Sequence, residues 1–571
     1  AGVNIRSSGN IGSEPVVEIR GLGNFTNNNP LYIIDGLPTT GNRDFNVNDI
    51  ESVQVLKDAS AAAIYGSRAA NGVIIIETKK GTAGEMKVNY TGKISIDNLP
   101  MMDLMGREEW IDITTQAYEN AIASGVPDVN SVPNWMDGNT DWNDAVFRSA
   151  VVQDHNLSFS GGSKDGNYLV STNYYDNPGT VYGTSMDRYS FRVNTEGRKG
   201  IFTIGENLAI SNTFVENQNS VFSKHIDVLR MLPIIPIYDE NNFGGYGYGN
   251  EATARTFGSN PIATEDLMYN SDENLRIRGN LYAMLDIIDG LRYKLNLGYE
   301  TSRDNHKWLR KEGNWTLNQP FDPSTRYENK AKYENKLIEN TLTYEKLIGK
   351  HDINAVVGNS YQNTYREMIA AEKKNLVQVG DRYFDVIDAG TTDPNAWGNI
   401  SESALISYFG RLNYTYDDKY LFSATFRSDG SSKFAPDNKW GFFPSISAGW
   451  RISQEDFFDV PWISDLKLRY SHGTLGNVNI GDWDYVAVLN SFPIAVFGND
   501  QHIEPGMTQI KLVNEDLKWE EQTQENYGLD VSFLDNKLQV NAEYFISTTK
   551  DVLTPMPILL TTGNDGGNPF V

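Results

Sequence analysis

"DIESVQVLKDASAAAIYGSRAANGVIIIETKKG", residues 49–81, is where the fold is decided. Ile50 to Leu56 alternates apolar and polar residues and reads as a strand. The alanine-rich run that follows reads as a short helix from Asp58, a natural N-cap residue, to Tyr65. Gly66 ends it, Asn71-Gly72 is a turn signal, and Val73 to Thr78 is an apolar strand. Upstream, Val16 to Arg20 ("VVEIR") and Leu31 to Asp35 ("LYIID") read as strands around "GLGNFTNNNP" (21–30), a loop by its Gly and Asn content. These pieces make a small α/β unit that closes near Gly81.

From about Lys87 onward the period changes to two. Leu275, Ile277, Leu281, Ala283, Leu285 and Ile287 fall on one face of a strand, with Arg276, Arg278, Asn280 and Asp286 on the other. Asp289-Gly290 turns the chain, and Tyr293, Leu295, Leu297 and Tyr299 return against Arg292, Lys294, Asn296 and Glu300. This is a hairpin with one apolar and one polar face. The device recurs around Asp417-Asp418 and across "LDNK" (534–537), with further strands near 154–161, 167–175, 188–195, 201–214, 338–347, 352–363, 443–452 and 464–472. Roughly 15 strands can be drawn by this alternation. Short turns alternate with long irregular segments, such as 215–270 and 301–335, as in transmembrane barrels. Aromatic residues cluster near strand ends (Tyr408, Tyr414, Tyr416, Tyr420, Phe442, Trp450), which suits interfacial girdles. A soluble β-sandwich, with the apolar face turned into a core, is the competing reading.

Composition bounds the function. The chain has 571 residues, no cysteine, a net charge of -25 and a mean hydropathy of -0.45. The negative balance argues against nucleic-acid binding. No apolar run is long enough for a transmembrane helix, which says nothing about strands that cross a bilayer. No catalytic constellation stands out: His155, His225, His306, His351, His472 and His502 are scattered, without a zinc motif or a Gly-x-Ser-x-Gly elbow. "FRSDGSSKFAPDNKWG" (426–441) lacks EF-hand spacing and reads as a solvated hairpin loop. No cofactor or metal is expected.

"VVEIRGLGNFTNNNPLYIIDGLP" (16–38) followed by residues 49–81 closely resembles the plug domain of SusC-like (SusC/RagA-type) TonB-dependent outer-membrane transporters. "DWNDAVFRSAVVQDHNLSFSGG" (141–162), "FSATFRSDGSSKFAPDNKWGFFPSISAGWRIS" (422–453) and "LKWEEQTQENYGLDVSF" (517–533) resemble the barrel of the same family. The resemblance implies a transmembrane antiparallel β-barrel of about 22 strands whose lumen is filled by an N-terminal α/β plug. Residues 1–81 are then the plug, lacking its first part, and 82–571 the barrel, lacking C-terminal strands. On this reading the closing "TTGNDGGNPFV" is a loop segment, and Phe570 is not the terminal aromatic of an outer-membrane protein.

The resemblance also implies a role. Family members import oligosaccharides or oligopeptides across the outer membrane, with a SusD-like surface lipoprotein that captures cargo and periplasmic TonB that pulls on the plug. Alternatives are a surface-binding or structural barrel without transport, or an importer of a small metal chelate or cobalamin. By the superfamily pattern, Arg20 and Arg68 latch the plug to barrel glutamates, for which Glu520, Glu521 and Glu525 are candidates. The pattern's glutamate falls at Asn526, where this chain departs from it, and pairing within the plug is the plainer alternative. Asp35-Gly36 reads as a turn. In "NFTNNNP", Asn24, Asn27, Asn28 and Asn29 offer donors and acceptors to neutral polar ligands and Phe25 a stacking face. Phe243, Tyr246 and Tyr248 in "NNFGGYGYGN" (241–250) are further candidates for cargo or partner contact. The acidic balance disfavours polyanionic cargo.

Overall fold

The computed structural model describes residues 2–569 apart from 26, 40, 42–44, 220–222, 381, 488, 491–493, 510–511, 560 and 562–568. Phe570 and most of the closing segment thus lie outside the described residues.

The N-terminal unit is a four-stranded sheet in the order Leu37–Thr39, Leu31–Ile34, Val73–Thr78, Ile50–Leu56. Leu31–Ile34 runs parallel to Val73–Thr78, and the other neighbours are antiparallel. "LYII" and "VIII" are continuously apolar because both faces of this sheet are covered. Leu31, Ile33 and Val73 pack on Ala59, Ala62, Ala63 and Ala69. Tyr32, Ile34, Ile74 and Ile76 pack on Val17, Ile19 and Phe45. The helix is shorter than the sequence predicts. It spans Ala59–Ala62 and tightens into a 3-10 segment, Ala63–Ala69, broken at Gly66, whose φ is 81°. Asp58 occupies the N-cap position, but its carboxylate does not cap the helix. It is drawn to Arg20 at 2.6 Å instead.

Small two-stranded sheets aside, such as Val3–Arg6 with Val16–Ile19, the rest is one antiparallel sheet of 15 strands, from Gly84–Asp97 to Leu538–Lys550, in which each strand pairs with the next strand of the sheet along the chain. Among the described residues its first and last strands do not pair with each other. The predicted hairpin is Met268–Ile288 with Leu291–Arg310, joined at Asp289-Gly290. Orientation settles membrane against sandwich: Leu281 is 50% exposed, while Arg278 on the opposite face is 7% exposed. The apolar face therefore looks outward and the polar face is buried against the plug, the reverse of a soluble sandwich.

The segment 301–335, expected to be irregular, is mostly strand. Leu291–Arg310 and Thr325–Ile348 leave only 311–324 between them. Their outer parts ("ETSRDNHK", "TRYENKAKYENK") are polar on both faces, so the alternation that marks a lipid-facing strand is absent there. His351–Leu376 and Gly390–Tyr416 run to 26 and 27 residues, far beyond the ~9–11 needed to span a bilayer. Segment 217–267 is largely irregular and carries short helices at Lys224–Arg230 and Pro261–Asp266. A helix at Arg107–Ala123 has no fully buried residue and packs Trp110 and Ile111 against the core of the long loops.

Candidate functional site

The plug is held to the wall mainly by barrel side chains that reach inward. Arg411 donates to the carbonyls of Ser60 at 2.8 Å and Ala61 at 3.0 Å. Arg427 donates to the Ile64 carbonyl at 2.5 Å and to Asp429 at 2.8 Å. Asp429 in turn accepts from the Ser67 amide at 2.9 Å. Two barrel arginines thus take carbonyls that a short helix leaves orphaned, and a barrel carboxylate takes an orphaned amide. On the far side of the plug sheet, Arg192 lies 3.0 Å from Asp49 and 3.3 Å from Asp35. Asp35 also accepts from the Thr78 amide and hydroxyl at 2.9 and 2.8 Å. Its role therefore goes beyond the turn. Glu300 accepts from Thr39 at 2.7 Å and pairs with Arg278 at 3.2 Å.

The two predicted plug arginines differ. Arg20, in the left-handed region with φ 61°, is surrounded by Asp58 at 2.6 Å, Glu543 at 2.9 Å and Asn526 at 2.7 Å. Its guanidinium sits 4.7 Å from the Phe545 ring. The barrel carboxylate it meets is Glu543, and Asn526 still accepts from it although it is not a glutamate. Burial pushes the Asp58 carboxyl up, against the lowering effect of Arg20 and with added repulsion from Glu543. The structure brings none of Glu520, Glu521 and Glu525 to either arginine. Glu520 accepts from Asn477 and from the Leu553 amide, both at 2.9 Å. Glu521 stands in register with Lys550, and Glu525 faces His472 at 3.5 Å.

Arg68 donates from Nη1 to Gln362, and its buried Nε has no hydrogen-bond partner. It makes no ion pair among the described residues. Burial, reinforced by the charge of Arg427 and opposed by Asp429, lowers its pKa to about 10. Arg68 and Pro38 line two cavities between plug and wall. One, of about 800 Å3, lies toward the short-turn end and is lined by both signs of charge, including Glu77, Glu339, Lys80 and Lys294. The other, of about 400 Å3, lies toward the long-loop end and is lined by Asn27, Asn29, Asn71, Tyr333, Gln362, Arg366 and Lys433 among others.

The asparagine loop divides by role. Asn28 accepts from the amides of Gly23 and Asn24, and Asn24 accepts from the amide of Asn27. These two side chains fold the loop, and that of Asn27 joins them by accepting from the Asn29 amide at 2.9 Å. Asn27 and Asn29 line the outer cavity, and Phe25 is 81% exposed. Phe243, Tyr246 and Tyr248 line neither cavity. Tyr246 donates to Asp266 at 3.0 Å and packs into the core of the long loops. Phe243 faces Phe321 with ring centroids 6.4 Å apart. Sequence reasoning missed Arg192, Arg278, Arg411, Arg427, Arg366 and Lys433. The first four carried a signal, being arginines on the polar face of alternating strands.

An antiparallel wall, apolar outside and polar inside, with an α/β plug seated in it, defines a plug-filled outer-membrane β-barrel. Family models agree: residues 1–73 match the TonB-dependent Receptor Plug Domain and residues 233–570 the TonB dependent receptor-like beta-barrel. The chain belongs to the TonB-dependent receptor family, in its SusC-like branch, and is a protein of the outer membrane. It is 32% identical to the TonB-dependent receptor SusC of Bacteroides thetaiotaomicron, over 98% of this chain and 58% of that protein. It is 31% identical to TonB-dependent receptor P3 of Formosa agariphila, over 98% and 55%. A structure of the RagAB peptide importer in the closed-closed state superposes with a TM-score of 0.83 at 27% identity, over 100% of this chain and 66% of that one. The chain thus spans a little over half the length of these curated relatives.

Proposed function

We propose that this chain is the plug-and-barrel part of a transporter that imports oligosaccharides or oligopeptides across the outer membrane, with residues 1–81 as plug and 82–571 as barrel. TonB supplies the work by pulling on the plug, and a SusD-like lipoprotein delivers cargo at the long-loop end. The observation that carries this reading is the seam between plug and wall. It is a largely polar network flanked by two cavities, with Leu475 of the wall as an apolar contact against the plug alanines. Ion pairs and hydrogen bonds such as Arg427 with Asp429 fix position with little net stabilisation. A plug seated this way holds one geometry and is released at modest cost. The kinship with SusC and with the RagAB peptide importer supports the substrate class and the lipoprotein partner.

The test is uptake of labelled oligosaccharides and oligopeptides by cells carrying the full-length protein, with and without TonB. Uptake that requires both supports import. Uptake that persists without TonB, or surface binding without uptake, overturns it in favour of a passive or binding barrel.

A further inference from the structure

The outward face of the wall changes chemistry along two neighbouring strands. On Leu291–Arg310 its residues run Tyr293, Leu295, Leu297, Tyr299 and then Thr301, Arg303, Asn305, Lys307. On Thr325–Ile348 the outward residues Leu342 and Ile338 give way to Lys336, Lys332 and Lys330. The register sets the two changes side by side. Leu297 stands opposite Ile338, and Tyr299 opposite Lys336, at the edge of the apolar band. Beyond that edge Arg303 stands opposite Lys332 and Asn305 opposite Lys330, so Lys307 is diagonal to Lys330. In a strand tilted by ~40° each residue climbs ~2.5 Å along the membrane normal, which puts Arg303 ~10 Å above Tyr299, at headgroup depth.

The carboxylates on this face are fewer than the cations, and they are already engaged. Glu334 is shared by Lys332 at 3.1 Å and Lys336 at 3.7 Å, and Tyr299 donates to it at 3.1 Å. Glu328 pairs with Arg326 at 3.0 Å. Glu367, opposite Lys332 on the next strand, accepts from Tyr365 at 3.2 Å. Arg303, Lys307 and Lys330 are exposed and make no ion pair among the described residues. Arg303 and Lys332 are directly opposed like charges, an arrangement that by itself destabilises a sheet. At the top of the patch a cavity of about 360 Å3 is lined by Lys307, Lys311 and Arg326 together with Glu273 and Asp385. Arg326 is buried there with an Nη1 that has no hydrogen-bond partner. The basic face is local, on a chain whose net charge is -25. Elsewhere on the wall Asp176 stands opposite Asp187.

We infer that this face docks the phosphate-bearing headgroup of an outer-leaflet glycolipid, with Arg303, Lys307 and Lys330 as the side chains that meet it. The patch continues the rows of side chains that face the acyl chains, so a molecule whose tails lie on Leu297 and Ile338 brings its headgroup to these cations. Basic residues next to an apolar span attract anionic headgroups in this way. A bound phosphate also relieves the opposition of Arg303 and Lys332. The inference rests on the place of the wall in the outer membrane and not on import.

The experiment uses the full-length protein in detergent, with bound lipid counted by native mass spectrometry. The probes are bis-phosphorylated lipid A, the same lipid with its phosphates removed, and inorganic phosphate. The phosphorylated lipid is expected to bind at least about tenfold more tightly than the dephosphorylated one. That preference should shrink with salt and disappear in Arg303→Gln/Lys307→Gln/Lys330→Gln. Arg303→Lys, which keeps the charge, should retain it. So should Lys346→Gln, which removes an outward cation beside a short turn, paired with Asp289 at 3.2 Å. Heat-dependent gel mobility shows that each variant keeps a folded wall. Equal binding of the two lipids overturns the inference, because the apolar band alone then holds the lipid. Binding of inorganic phosphate without any preference between the lipids overturns it in favour of a free-anion site. A phosphate preference unchanged in the triple variant overturns it by placing the contact elsewhere.

Discussion

Gly66 and Arg427 compete for one space: a Cβ added to Gly66 would overlap the Arg427 guanidinium. Gly66 also has φ 81°, a conformation that other residues adopt at a cost. The kink it makes exposes the Ile64 carbonyl to Arg427 and the Ser67 amide to Asp429. Gly66→Ala is expected to destabilise plug seating by about 1–2 kcal/mol from backbone strain alone, with more from displaced Arg427. Arg427→Ala removes the clash but leaves Asp429 buried without its cation. The double variant should therefore be less destabilised than the sum of the singles, with a coupling of at least about 0.5 kcal/mol. Thermal unfolding of the four proteins in detergent checks this, and additive effects would refute it.

Arg20 is the hub of a second joint, between Asp58 on the plug and Glu543 on the wall. Arg20→Ala leaves two carboxylates together in a partly buried site and should cost about 3 kcal/mol. Glu543→Gln keeps an acceptor for Arg20 and should cost less. In double-variant cycles Arg20 should couple to Glu543. It should show no coupling beyond about 0.5 kcal/mol to Glu520, Glu521 or Glu525. Coupling to any of those three would restore the pairing that the sequence pattern implies.

Much of this architecture was legible from the chain. The plug strands follow from "LYII" and "VIII", whose unbroken apolar runs need two covered faces. The wall follows from alternation such as that of Leu275 to Ile287, and the short turn from Asp289-Gly290. The strand extensions beyond the lipid were not legible, because residues such as Glu300 to Lys307 are polar on both faces and carry no period. The joint was half legible. Arg20 was found from its motif, but Glu543 was not, because its neighbourhood ("VNAEYFIS") gives no sign of which of many glutamates meets the plug. Arg366 and Lys433 were hidden for another reason. They share a cavity only because separate strands and loops bring them to it, and single-sequence spacing holds no trace of that.

The Asp58 carboxyl makes the Arg20 joint sensitive to pH. Burial raises its pKa above the usual aspartate value despite Arg20. The folded state therefore binds more protons than the unfolded state between the ordinary aspartate pKa and the raised one. Stability contributed by this group is greatest below that window and falls as pH rises through it. Comparing wild type with Asp58→Asn across pH 4 to 7 isolates the effect. The wild-type melting temperature should decline relative to the variant as pH rises, and a difference that stays constant, or runs the other way, would contradict it.

Asn28 and Asn29 are neighbours with opposite duties. The Asn28 side chain accepts from the Gly23 and Asn24 amides at 2.7 and 3.0 Å and donates to the Asn24 carbonyl at 2.9 Å. Asn28→Ala leaves these backbone groups without their partner and should destabilise the loop by about 1 kcal/mol or more. Asn29 is held through its backbone, its amide donating to the Asn27 side chain at 2.9 Å, while the residue lines the outer cavity. Asn29→Ala should leave loop stability within about 0.5 kcal/mol of wild type, as substitutions away from such structural roles do, and still weaken cargo binding. Hydrogen exchange of the 21–30 amides reads the first effect and titration of bound oligosaccharide the second. Faster exchange in Asn28→Ala with native exchange and weaker binding in Asn29→Ala would separate a residue that shapes the loop from one that meets the cargo. Equal behaviour of the two variants would mean that the loop acts only as a scaffold.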